Sequence, residues 1–402
     1  MKKFNNTIFF SGGGTLGSVV PLIAIYEDIY NKYPDYKYVW VGTKNGPEKN
    51  IIKDYNIEFI SINSGKLRRY FDIKNIVDFF NIIIGFIESL YLLIKYKPKV
   101  ILTAGGFVSV PIVVSARLLK IPSFIHQQDL EVGLANRIMA RFADTITVTL
   151  DESLNDYAKY KNKVVKTGNF VRKSLYEFDI NVAKEKFNIK SNKPILLVLG
   201  GGTGSEFINN IIKNNIDNIL ENYEVIHLTG INKNNIEKNN LSNYHVFEFL
   251  SDGMKDALNL ADVIITRAGF STLTEICALK KACIIIPLEG HQEKNAKLFL
   301  DKAIILNQNN FNNNEFVNIL SELAYNKNRR QEIGNKVSSV IEIGNNNMIK
   351  LQIDNNDIIQ EVLTGYLSTD SPASSSTLTL DSISGFAINQ VLVLGKLGQE
   401  KT

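Results

Sequence analysis

Two glycine-rich turns far apart in the chain each follow a short apolar run and open a helical pattern. The first is Ser11-Gly12-Gly13-Gly14-Thr15-Leu16-Gly17-Ser18, after Thr7-Ile8-Phe9-Phe10. The second is Gly200-Gly201-Gly202-Thr203-Gly204-Ser205, after Ile195-Leu196-Leu197-Val198-Leu199. A strand–turn–helix unit of this kind leaves backbone N–H groups and a helix N-terminus where an anion can sit. Two of them, each opening its own βα series, predict two nucleotide-fold domains facing one another. A cleft between such domains can hold a nucleotide-activated donor in one half and an anionic acceptor in the other.

The spacing of apolar residues supports this. Candidate strands at 8–11, 38–41, 59–62, 100–103, 123–126 and 145–148 alternate with helical patterns at 20–30, 73–94, 111–119 and 133–141. The rhythm returns with strands at 195–199, 225–228, 245–247, 263–266 and 284–287. Strands alternating with helices predict parallel sheets covered on both faces, an α/β class. At 402 residues the chain is too long for one ordinary core. The expected division is a first domain over 1–165, a second over 166–345, a last helix over 346–365 and a tail over 366–402. Residues 163–172 read as the crossing between domains. The tail begins with a Ser/Thr-rich, linker-like stretch and has no functional reading.

Composition narrows the function classes. Hydrophobic residues make up 45% and charged residues 21%, an ordinary globular balance. A net charge of +4 gives no reason to expect a nucleic-acid partner. The two cysteines, Cys277 and Cys283, lie in apolar surroundings and read as reduced core thiols. Four histidines without paired Cys/His spacing do not suggest a zinc site. The N-terminal apolar run reads as the first strand rather than a signal peptide. The longest apolar stretch, 76–94, carries Asp78, Asn81 and Glu88 and makes a poor membrane span.

Several strand ends carry polar chemistry. Gly12, Gly14 and Gly17 formally match G-x-G-x-x-G, which alone is a weak dinucleotide signal. Gly105-Gly106-Phe107-Val108-Ser109-Val110-Pro111 also follows a strand and starts a helix, and His126-Gln127-Gln128-Asp129 ends the next strand. Ligands gather at the carboxyl ends of strands in doubly wound sheets, so these elements together suit a diphosphate. His126 reads either as a cleft residue or as a satisfied buried imidazole. In the second half, Thr272 and Glu275 have capping-box spacing, while Glu275 equally suits a carboxylate holding ribose hydroxyls. His291, Gln292 and Asn295 fall on one side of a helix, facing either the cleft or solvent. No Asp-x-Asp pair stands in a convincing loop, so no metal and no cofactor are expected.

These motifs, in this order, resemble the MurG family, which adds N-acetylglucosamine to lipid I in peptidoglycan synthesis. The likeness runs from about residue 5 to about 345. The family's Gly-Gly-Thr-Gly-Gly-His is similar to Gly13-Gly14-Thr15-Leu16-Gly17-Ser18, and its Gly-Gly-Tyr-Val-Ser-x-Pro to Gly105 through Pro111. Its His-Glu-Gln-Asn is similar to His126-Gln127-Gln128-Asp129, and its Gly-Asn-Pro-Val-Arg to Gly168-Asn169-Phe170-Val171-Arg172. Its donor loop Gly-Gly-Ser-Gln-Gly-Ala resembles Gly200 through Ser205. Its Ser-Gly-x-x-Thr-x-x-Glu resembles Ala268 through Glu275, and its Gln-Gln-x-x-Asn resembles His291-Gln292-Glu293-Lys294-Asn295.

The resemblance implies a GT-B fold, two Rossmann-like doubly wound domains around a central cleft, and an inverting transferase. It implies that UDP-N-acetylglucosamine binds the second domain, with Glu275 on the ribose. Gly202, Thr203, Gly204 and Arg172 would lie at the diphosphate, and Gln292 and Asn295 at the sugar hydroxyls. Thr15 and Gly17 of the first domain would complete the donor site. Gly13, Gly14, Gly105, Gly106 and Ser109 would take the lipid-linked diphosphate. Ser18 and Gln127 stand where the family has a histidine and a glutamate, and neither acts as a base near pH 7. Asp129 is then the first candidate base and His126 the second.

Lys66, Arg68, Arg69 and Lys74 precede a helix bearing Ile76, Phe79, Phe80, Ile83, Ile87, Leu90 and Ile94. This suits either a peripheral contact with the anionic inner face of the cytoplasmic membrane or a core helix covering the sheet. The competing functions are a related transferase with another lipid acceptor and a non-catalytic UDP-sugar-binding relative. A dinucleotide oxidoreductase would leave the second glycine turn and residues 267–275 unexplained.

Overall fold

A computed structural model of the chain describes residues 5–65, 74–234, 241–250 and 253–344. The expected 346–365 helix, the 366–402 tail, and Lys66, Arg68 and Arg69 lie outside the described residues. The first domain is a seven-stranded sheet: β1 (Thr7–Ser11), β2 (Lys37–Gly42), β3 (Glu58–Ser61), β4 (Val100–Thr103), β5 (Ser123–Gln127), β6 (Thr145–Val148) and β7 (Val164–Lys166). Its order is β3-β2-β1-β4-β5-β6-β7. The second is six-stranded: β8 (Ile195–Leu199), β9 (Glu224–Leu228), β10 (Tyr244–Phe247), β11 (Val263–Thr266), β12 (Ala282–Ile285) and β13 (Ile304–Ile305), in the order β10-β9-β8-β11-β12-β13. The strand pairs are parallel, as in β1 with β4 and β8 with β11.

Both sheets reverse their winding at one place, between β1 and β4 and between β8 and β11. A crevice opens at such a switch point, outside the carboxyl ends of the strands. The two glycine turns follow β1 and β8. Gly105-Gly106 follows β4, and Arg267 through Gly269 follow β11. The motifs singled out in the sequence therefore stand at the two crevices. The central strands are buried along their whole length, which is why they read as unbroken apolar runs. Burying each such Leu, Ile or Val contributes about 1.5–3 kcal/mol.

Three expectations shift. Residues 163–166 are not a plain crossing, because Val164–Lys166 pairs with β6 and closes the first sheet. The expected boundary at 165 falls inside this strand. A three-residue, half-buried edge strand owes its form to its neighbour rather than to its own pattern. β13 is shorter still, and two half-buried residues carry no pattern that predicts a strand. β12 starts two residues before the expected 284–287, in register with β11 at Val263 and Ala282, and Pro287 has no N–H for the ladder.

Beyond β7 the chain crosses to the second domain. Asn169 pairs there with Ile343 in an isolated parallel bridge. The segment then docks on the first-domain helix Val20–Lys32. Ser174 donates its N–H and its hydroxyl to Glu27 at 3.1 and 2.7 Å, and Lys173 pairs with Asp28. These contacts fix how the two crevices face each other.

Candidate active site between the domains

A cavity of about 460 Å³ lies where the crevices meet, within the range of small-ligand sites. Thr15, Gly17 and Ser18 of the first glycine turn line it, with Gly105 and Gly106 after β4, Gln127 at the end of β5, and Gln128, Asp129 and Glu131 beyond it. The second domain contributes His291 at the start of the helix His291–Lys297.

The walls are joined by polar contacts. Asn295 Nδ2 donates to Asp129 Oδ1 at 3.1 Å and to the Ala268 carbonyl at 3.1 Å. His291 Nε2 lies 3.7 Å from the same Asp129 oxygen, and Lys294 pairs with Glu131 at 3.1 Å. Ser271 Oγ is within donating distance of Gln128 Oε1, at 3.0 Å, and of the Gly17 carbonyl, at 3.2 Å. Asp129 therefore belongs to the first domain by sequence and touches the second by geometry. The Oδ1 atoms of Asn295 and Asn136 are buried without a partner.

The first-domain residues divide. His126 is not a cleft residue. Its ring is 2% exposed, with Nδ1 bonded to Thr147 Oγ1 and Nε2 to Asn169 Oδ1, both at 2.9 Å. Burial pushes its pKa down to about 4. A ring with both nitrogens engaged and little proton affinity at pH 7 is a structural histidine, not the base the sequence suggests as second candidate. Three of the expected acceptor groups are also already engaged. The Gly13 N–H donates to Ser18 Oγ at 3.1 Å, and the Gly14 N–H donates to Glu48 Oε2 at 3.2 Å. The buried Glu48 carboxylate also accepts from the Thr43 N–H, so an internal anion fills this turn. Ser109 is fully buried and donates to the Ser11 and Gly105 carbonyls. Gly105 and Gly106 remain on the cavity wall. A Cβ on Gly106 would fall 3.0 Å from the Gly13 carbonyl, so glycine is needed for the two turns to pack.

Gln127 is buried as well. Its Nε2 donates to the Asp129 and Glu131 carbonyls at 2.8 and 3.1 Å, and its Oε1 accepts from Asn136 Nδ2 at 2.7 Å. This position is built for an amide, since a carboxylate could not donate to either carbonyl.

In the second domain, Ser205 caps the helix Glu206–Asn214 through its Oγ, which accepts from the Ile208 N–H. The same Oγ accepts from Arg267 Nη2 at 2.6 Å. Arg267 is 4% exposed, and its other partners are the Gln308 side chain and the Ile286 and Pro287 carbonyls. A buried cation thus underlies the second glycine turn. Gly204 takes φ of 72°, and a Cβ on Gly202 would meet first-domain Leu16 at 3.1 Å. Glu275 does not complete a capping box, because the helix Phe270–Ala278 begins earlier, with Gly269 as its cap. Instead Glu275 Oε1 accepts from Arg172 Nη2 at 2.6 Å and Nε at 3.0 Å. This carboxylate holds the Arg172 pKa above its ordinary value. Two residues expected at separate points of the donor thus touch each other. Gln292 Oε1 accepts from the Ala268 and Leu288 N–H groups, holding the loop after β11 against its own helix.

Sequence reasoning missed Glu48, Arg267 and the Gln128–Ser271 contact. Only Arg267 had a local signal, a charge set directly after an apolar strand.

Two facing, doubly wound α/β domains with a polar cavity between their switch points define a GT-B architecture. The match to "Glycosyltransferase family 28 N-terminal domain" covers residues 8–148, and that to "Glycosyltransferase family 28 C-terminal domain" covers 195–345. The chain belongs to glycosyltransferase family 28. It is 38% identical over 358 residues to a UDP-N-acetylglucosamine--N-acetylmuramyl-(pentapeptide) pyrophosphoryl-undecaprenol N-acetylglucosamine transferase of Clostridium perfringens, spanning 85% of this chain and 98% of that relative. The Clostridium tetani protein of the same name is 36% identical over 348 residues, spanning 84% and 94%. Among solved structures, Acinetobacter baumannii MurG aligns with a TM-score of 0.61 at 23% identity, covering 88% of this chain and 99% of that one. Neisseria meningitidis UDP-GlcNAc 2-epimerase bound to UDP-GlcNAc aligns at 0.58 and 13% identity, covering 89% and 98%. These structural likenesses concern the fold.

Proposed function

We propose that the chain is an inverting transferase that moves N-acetylglucosamine from UDP-N-acetylglucosamine to the C4 hydroxyl of lipid I, giving lipid II for peptidoglycan. The observation that carries this reading is the cavity itself, in which an acidic loop of the first domain meets a second-domain helix bearing an unpartnered buried amide oxygen on Asn295. The family membership and the names of the relatives at 35–39% identity support it.

In this reading the uridine half lies on the second domain, with Glu275 accepting from the ribose hydroxyls. The diphosphate lies on the turn through Gly202, Thr203 and Gly204, above the N-terminus of Glu206–Asn214 and the buried Arg267. Amides, a helix dipole and a fixed cation stabilise the charge that grows on the leaving diphosphate. Asn295 and Gln292 are the sugar-side residues. The acceptor diphosphate enters past Gly105 and Gly106, and Thr15 and Gly17 close the donor from the first domain. The acceptor oxygen attacks the anomeric carbon, the bond to the β-phosphate oxygen breaks, and the hydroxyl proton leaves towards the cleft face that carries Asp129.

Incubation with radiolabelled UDP-N-acetylglucosamine and lipid I tests the assignment. Label in lipid II is the expected result. Label only in another polyprenyl lipid moves the acceptor assignment, and binding of the nucleotide sugar without transfer to any lipid refutes the enzyme.

The lipid acceptor calls for contact with a membrane. Among the described residues no helix is long and apolar enough to cross one. The helix Lys74–Tyr96 packs Leu92 and Leu93 inward yet exposes Phe80, Ile84, Ile87, Tyr91 and Ile94 on one stripe. Such a stripe suits shallow burial in the inner face of the cytoplasmic membrane. Flotation with liposomes should carry the protein upward. Replacing Ile87 and Tyr91 by serine should leave it at the bottom of the gradient, and unchanged flotation of that variant would exclude this helix as the contact.

A further inference from the structure

Of the side chains lining the cavity, three are titratable: Asp129, Glu131 and His291. Glu131 pairs with Lys294 at the cavity rim. His291 and Asp129 face each other across the cleft, imidazole Nε2 to carboxylate Oδ1. The pair joins the two domains, and both members line the cavity. Both members also depart from the MurG-type motifs, which carry asparagine at the position of Asp129 and glutamine at that of His291. The motif glutamate is meanwhile replaced by Gln127, whose buried amide donates to the Asp129 and Glu131 carbonyls. The loop is thus rebuilt with its acid two positions later, opposite a new imidazole.

We infer that Asp129 and His291 form a single proton-accepting unit across the cleft, in which the imidazole takes the acceptor proton and the carboxylate orients it. This rests on the transferase reading above. Asp129 holds the ring proton on Nε2, which leaves Nδ1 to accept. As the acceptor oxygen bonds to the anomeric carbon and the electron pair of the breaking bond departs with UDP, the hydroxyl proton passes to Nδ1. The imidazolium formed is stabilised by Asp129 and returns its proton to water. The 3.7 Å separation is an ion-pair distance, and catalytic contacts of this length tighten to hydrogen bonds once substrate is bound. Each domain supplies one member of the unit.

The groups facing His291 set the sign of the pH dependence. Asp129 raises its pKa most, burial lowers it, Glu131 raises it, and Lys294 on its own helix lowers it, with a net upward shift from the ordinary 6.5. The free base is therefore lost as pH falls through a value above 6.5, and kcat/KM should fall with it.

His291→Gln is the test, since glutamine is the residue of the family motif and a polar side chain suits this exposed helix start. The expected result is a loss of kcat of about 10²-fold or more, with UDP-N-acetylglucosamine affinity retained by calorimetry and the acidic limb of the pH profile abolished. The Asp129→Asn/His291→Gln double variant should be no slower than the slower single variant. An unchanged kcat and pH limb in His291→Gln would overturn the inference. Nuclear magnetic resonance titration of the His291 ring checks the pair without turnover. Its pKa should lie above 6.5 in the native protein and drop in Asp129→Asn, and an equal value in both would overturn the pairing even if transfer to lipid I is confirmed. If no lipid is glycosylated while the ring titration shows the pair, the transferase reading has failed and the inferred proton transfer falls with it.

Discussion

Asp129→Asn should lower kcat by about 10²- to 10⁴-fold, the range of a lost general base or of its orienting carboxylate. The variant is nearly isosteric. Its amide oxygen can still accept from Asn295 Nδ2, which sits 3.1 Å from Oδ1 in the native protein. The helix His291–Lys297 therefore keeps its place against the first domain. What disappears is the negative charge, and with it the means to stabilise a proton on His291. Calorimetry should accordingly give an unchanged affinity for UDP-N-acetylglucosamine beside the collapse in turnover. Normal turnover in this variant would remove Asp129 from the chemistry.

Glu275→Ala should damage both stability and donor binding. Arg172 and Glu275 are 16% and 7% exposed, and both bonds of the guanidinium fall on Glu275 Oε1. Removing one member of a buried pair leaves the other charge unmatched, at a cost of about 3–5 kcal/mol. A domain of this size should then melt about 6–20 °C lower. Glu275→Gln keeps an acceptor and should lose less. Each hydrogen bond from a ribose hydroxyl to a charged carboxylate is worth about 1.5–3 kcal/mol, so UDP affinity should drop by about 10²-fold in Glu275→Ala. Calorimetry of the folded fraction separates the two effects. A variant that melts early but binds UDP normally would confine Glu275 to holding Arg172.

The βα rhythm was legible because parallel strands are buried on both faces and therefore apolar throughout. Ile195–Leu199 and Val100–Thr103 appear as strands within the expected bounds for this reason. The glycine turns were legible because only glycine takes the positive φ seen at Gly14, Gly105, Gly106 and Gly204 without strain. Edge strands were not. Val164–Lys166 and Ile304–Ile305 are short and half-buried, and their pairing comes from a neighbour. Roles within the site were harder still. His126 ranked just behind Asp129 in the sequence, yet its ring is buried between Thr147 and Asn169 while the Asp129 side chain faces the cleft. Alternation places a residue on one face of a strand, but it does not say what stands opposite.

Local order along the chain was enough to determine two doubly wound domains, the turns at their crevices and the family likeness. Those features depend on near neighbours: an apolar run, a glycine, a helix start. The tertiary structure alone decided that Glu48 fills the first glycine turn, that Arg172 pairs with Glu275, and that Asp129 meets Asn295 and His291. Each of these joins residues far apart in the chain. A charge's partner is set by how the sheets and domains pack, and no short stretch of sequence carries that information.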